Sequence, residues 1–73
     1  MTSLEEHRYK KFKVSYLLYR KAELAMDSSK FDMALSLIRK ALILEPTNEL
    51  YLDLELYIKF MIADFKILSM TYT

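Results

Sequence analysis

The sequence predicts an all-α fold: a three-helix antiparallel bundle in one domain over residues 1–73, built as a helix-turn-helix plus a C-terminal helix. Three observations carry this. The chain has no glycine and one proline, and small sheets draw on glycine or Asn-Gly at their hairpins, so long regular elements are favoured. Apolar residues recur at three- and four-residue spacing in three stretches, which places them along one side of a helix. The breaks between the stretches are short, which makes sequential helices antiparallel neighbours.

The first helix is expected over about residues 3–27. Ser3 and Glu6 form an S-x-x-E capping box, each side chain reaching the other's free backbone N–H. Leu4, Val14, Leu18, Ala22, Ala25 and Met26 line one side with Tyr19 beside them, and Lys10, Lys13, Arg20 and Lys21 lie on the other. Asp27, Ser28 and Ser29 compete for backbone hydrogen bonds and end the helix.

A second helix is expected over about 30–44, with Ser29 as its cap and Asp32 in its first turn, where the positive helix end favours an acid. Phe31, Ala34, Leu35, Ile38, Ala41 and Leu42 form one broad apolar face. Pro46 ends the helix by pushing the residue before it out of helical geometry. The small residues Ala22, Ala25, Ala34 and Ala41 allow the first two helices to approach closely.

The third element, about 48–70, is ambiguous in its letters. From Leu50 to Ile62 every even position is Leu, Ile or Phe, the alternation of a strand. A strand of that length would span about 43 Å with no second strand to pair with. Wound as a helix capped by Thr47 or Asn48, the same residues give two stripes. Leu50, Leu54, Tyr57, Ile58, Met61, Phe65 and Leu68 can close over the first hairpin, with Glu55, Lys59 and Lys66 on nearly the opposite side. Leu52, Leu56, Phe60, Ala63 and Ile67 form the second stripe. Either this helix is buried on both sides, or the second stripe is a contact face for a protein partner or a second copy.

Bulk composition favours the contact face. A chain of 73 residues hides only about 60% of the surface its unfolded form exposes, yet 53% of it is apolar. Large side chains must therefore stay at the surface or be covered by a partner. Net charge is +1 but uneven. Residues 1–22 hold six basic against two acidic groups, net +4, and residues 23–73 hold five against eight, net −3. Lys10, Lys13, Arg20 and Lys21 thus form a candidate electrostatic partner face.

Other classes are argued against by what is missing. His7 is the only histidine, with only Glu5 and Glu6 near it, too few ligands for a metal site and no base for catalysis. Without glycine no phosphate-cradling loop can form. No serine has a histidine placed to activate it, so an enzyme, a cofactor and a small-molecule substrate are not expected. The run "HRYKKFKVSYLLYR" interleaves basic and aromatic residues, but they spread around the helix and the net charge adds no field, so nucleic acid is not the expected partner. No uncharged run approaches the roughly 20 residues of a membrane span. With charged residues interrupting any apolar region near the start, a signal peptide is not expected there. The lack of cysteine fits a reducing intracellular compartment, the cytoplasm being the expectation.

The segment "FDMALSLIRKALILEPTN", with Phe31, Ala34, Ile38, Ala41 and Pro46, resembles the second helix and exit turn of a tetratricopeptide repeat. Carried backward, the frame places Leu18, Ala22 and Ala25 on the first helix, with Ala22 for the usual glycine and Ala25 for the usual tyrosine. The resemblance covers about residues 15–48 and implies a non-catalytic protein-binding role, as a small adaptor or complex subunit. Tyr19 and Glu23 stand where some co-chaperone repeats carry the Lys and Asn of a carboxylate clamp, so that activity is not implied. The second helix also resembles that of microtubule-interacting-and-trafficking domains, which implies binding of a partner's amphipathic helix. Leu18-Tyr19-Arg20 resembles the LYR signature of small mitochondrial assembly adaptors.

Overall fold

The structure, a computed structural model, describes the backbone of residues 3–71 and the side chains of residues 6–68. It is all-α, with α1 Ser3–Asp27, α2 Phe31–Leu44 and α3 Glu49–Thr71 forming a three-helix antiparallel bundle. The expected Ser3–Glu6 capping box and the packing of Leu4 lie outside the described side chains.

The turn between α1 and α2 closes by a different route from the expected serine cap. Ser29 adopts the left-handed conformation, φ 59°. Its N–H donates to the Met26 carbonyl (2.9 Å), and the Lys30 N–H donates to the Ala25 carbonyl (2.8 Å). This pair of bonds is the Schellman arrangement at the end of α1, normally built on glycine. In a chain without glycine a serine takes the strained position. Lys30 becomes the cap residue of α2 and makes no side-chain cap bond.

The second turn follows the sequence closely. Glu45 leaves helical geometry (φ −136°) one residue before Pro46. Asn48 caps α3, its side-chain oxygen accepting the Tyr51 N–H at 3.2 Å.

The core is small and lies along α2, between α1 and α3. Ala22 and Ala25 meet Ala34, Ile38 and Ala41, and Tyr51 and Ile58 close it from α3. Alanine on both sides of the α1–α2 contact removes the side-chain bulk that would hold the backbones apart. At 25 and 14 residues α1 and α2 differ by about 16 Å in length. The first half of α1 therefore runs past the end of α2, and residues 6–14 are all exposed, Val14 included. Its expected place in the inner stripe fails because nothing stands opposite.

The molecule is accordingly elongated, 58 × 20 × 13 Å with a radius of gyration of 15.0 Å, against about 11 Å for a close-packed domain of this length. Its accessible surface is 5761 Å², where a folded monomer of this mass has about 4,700 Å².

Candidate functional site

The geometry of α3 decides which of its two stripes is inside. Tyr51 and Ile58 are buried, with Leu54, Glu55, Met61 and Ile62 half-buried around them. Relative to the expected inner stripe the helix is rotated so that Leu50 and Tyr57 face solvent. Phe65 stays largely exposed although its ring meets the edge of Phe31 (centroids 6.3 Å apart), because α2 begins there and offers no further surface. Leu68 lies beyond that point and is exposed. Glu55 was expected on the far side, but it sits over α2. Its carboxylate receives Arg39 at 3.5 Å and Lys59 at 3.8 Å.

The second stripe lies on the face of α3 turned away from α2. Leu52, Leu56, Phe60 and Ile67 are 41, 54, 61 and 60% exposed, and Ala63 is exposed between them. Helix α3 is therefore not covered on both sides by its own domain. Lys59 and Lys66 border the stripe on one side and Asp53 and Asp64 on the other, all four exposed.

The basic residues of α1 are also at the surface. Lys10, Lys13 and Lys21 are exposed, and Arg20 is tied within its own helix to Glu23 at 2.6 Å. That surface pair partly neutralises the guanidinium, while Lys10, Lys13 and Lys21 are exposed cations. An aromatic series runs beside them: Phe12 stacks on Tyr16, Tyr16 leans on Tyr19, and Tyr19 stacks on Tyr51 with centroids 5.3 Å apart.

One group of residues escaped the sequence reading. Ser15 is fully buried, and its hydroxyl oxygen lies 2.9 Å from the Phe12 carbonyl oxygen and within hydrogen-bond reach of the Glu45 carboxylate, so its one proton serves either acceptor. The Tyr51 hydroxyl lies 3.0 Å from the Ser15 oxygen. With the Ser15 proton directed at Glu45, Tyr51 is the donor in that contact, so α1, the end of α2 and α3 are joined by a chain of hydrogen bonds. Burial, joined by the Glu45 carboxylate and opposed by the Ser15 hydrogen bond, holds the Tyr51 phenol above its usual value, so it keeps the proton it donates. The signal was present: Ser15 stands seven residues before Ala22 and three before Leu18, on the inner stripe. A buried tyrosine needs a partner for its hydroxyl, and this triad supplies one. The triad joins the three helices as a structural clamp.

A second surface is an open groove of about 590 Å³ between the start of α2 and the far part of α3. Phe31, Met33, Ile62 and Phe65 line it together with the charged Lys30, Asp32 and Lys66. Among the described residues no cluster of His, Cys, Asp or Glu is placed to hold a metal ion, and no helix is long and apolar enough to cross a membrane. Compared with protein-family models, with curated proteins and with solved structures, the chain matches none.

Proposed function

We propose that this chain is a non-catalytic protein–protein interaction module, a small intracellular adaptor or complex subunit whose tetratricopeptide-repeat-like hairpin carries a contact helix. The observation that supports this reading most is the outer face of α3: Leu52, Leu56, Phe60 and Ile67 are each 41–61% exposed in one continuous stripe. Covering the exposed half of these four side chains contributes about 3–6 kcal/mol gross. That favours association strongly enough to offset part of its entropic cost. The open lysines Lys10, Lys13 and Lys21 fit a secondary role in steering an acidic partner.

A second reading has an observation of its own. The groove between α2 and α3, lined by four large apolar side chains with Lys30, Lys66 and Asp32 among them, suits an amphipathic helix laid between two helices, the mode implied by the resemblance to microtubule-interacting-and-trafficking domains.

The two readings separate by paired variants. Leu56→Glu with Phe60→Glu is expected to abolish recovery of partners from a cell extract while Met33→Glu leaves it intact. The reverse pattern supports the groove. Unchanged recovery by both variants removes both readings.

A further inference from the structure

The outer face of α3 has the spacing and the charge pattern of one strand of a coiled coil. Leu56, Phe60, Ala63 and Ile67 follow one another at intervals of four, three and four residues, which are the d, a, d and a positions of a heptad. Lys59 and Lys66 then fall at g, just ahead of the two a positions. Tyr57 and Asp64 fall at e, just after the two d positions, and Leu52 is the g residue of the preceding heptad. All are exposed.

We propose that this face docks a second copy of the chain, α3 beside α3 in parallel, about a twofold axis along the two helices. This rests on reading the stripe as a contact face and names what covers it. In a parallel pair each g residue meets the e residue five positions on in the other strand. Leu52 then lies against Tyr57 of the second copy, apolar on apolar. Lys59 lies against Asp64 of the second copy, cation on anion. The twofold repeats both contacts. In an antiparallel pair g faces g, and Lys59 would meet Lys66. The g–e pattern therefore favours the parallel arrangement, since juxtaposed like charges oppose association, and Asp53, at the a position ahead of Leu56, ends the apolar seam there.

The rest of the fold is compatible with it. Helix α2 packs against the opposite side of α3, through Tyr51 and Ile58, so a second copy approaches the stripe from open solvent. Lys59 is free to reorient, because its contact with Glu55 is a loose 3.8 Å and Glu55 also has Arg39. The stripe with Tyr57 offers roughly 500 Å² per copy, about 1,000 Å² in the pair, the lower bound of a specific interface. A dissociation constant in the micromolar range is expected.

Sedimentation equilibrium on the whole chain tests this, with circular dichroism to verify that each variant keeps its helices. The wild type is expected to dimerise. Lys59→Glu and Asp64→Lys are each expected to weaken the dimer at least about tenfold, since each places like charges across both contacts. An equimolar mixture of the two variants is expected to regain wild-type affinity, because the mixed pair restores both opposite-charge contacts. A monomeric wild type, a dimer tightened by Lys59→Glu, or a mixture no stronger than its components overturns the parallel pair. If the wild type is monomeric yet Leu56→Glu with Phe60→Glu still loses its partners, only the self-pairing falls and the contact-face reading stands.

Discussion

The two faces of α3 are nearly matched in hydrophobic content and opposite in fate. The inner face places Tyr51 and Ile58 against α2, with Tyr51 also meeting Ser15 and Tyr19 in the middle of α1, and both are buried. The outer face carries Leu56 and Phe60 at 54 and 61% exposure. Apolar character alone does not separate them. What separates them is what stands opposite: the inner face meets an alanine-lined hairpin and a polar clamp, and the outer face meets solvent. One helix thus has a side that holds the fold and a side that is free to associate.

The sharpest way to break this comparison is truncation on each side. Ile58→Ala removes a fully buried side chain and is expected to destabilise the chain by about 2–5 kcal/mol in urea unfolding. Phe60→Ala, although it removes a larger side chain, is expected to change monomer stability by less than about 0.5 kcal/mol. Equal losses would mean that the outer face belongs to the core.

A smaller effect is expected from the clamp. Tyr51→Phe keeps the ring stacked on Tyr19 but removes the donor to Ser15, at a cost of about 1–2 kcal/mol. The phenol also gives this region a pH signature. Its folded pKa lies above the ordinary value of a phenol, raised by burial. Its contribution is therefore fully present below about pH 10 and is lost as pH rises through the folded value. Stability measured between pH 9 and 12 is expected to fall on the alkaline side, less steeply in Tyr51→Phe. Tyr19, whose phenol burial also raises, adds to the slope in the same direction.

The smallest effect is a gain at neither face. Ser29 is held at φ 59°, a conformation that costs a residue with a Cβ about 1 kcal/mol. Ser29→Gly is expected to stabilise the chain by about 0.5–1 kcal/mol in the same urea assay and to leave association untouched.

Much of this was legible in the sequence, and the failures have physical causes. The three helices followed from periodicity, and Pro46 and Asn48 marked the second turn because their effects are local. The alanine spacing gave the close α1–α2 contact. The rotation of α3 was misread because the leucines at even positions drew attention from Tyr51, an amphipathic residue whose burial depends on Ser15 and Glu45, 36 and six residues away. Such a hydrogen-bonded clamp is non-local and leaves no periodic trace. The turn at Ser29 was misread because serine is a good helix cap. Only the backbone path shows that the chain needs a left-handed residue there. The exposure of Leu52, Leu56, Phe60 and Ile67 was anticipated as one of two alternatives. Only the tertiary arrangement shows that these side chains stay 41–61% exposed.

The most direct measurement is the solution mass of the chain as a function of concentration, for the wild type and for Leu56→Glu with Phe60→Glu. The wild type is expected to rise from 8.7 kDa toward twice that mass, and the double variant to remain at the monomer mass with unchanged helix content. A wild type and a double variant with the same mass at every concentration, each recovering the same partners, would contradict the assignment of α3's outer face as the contact surface.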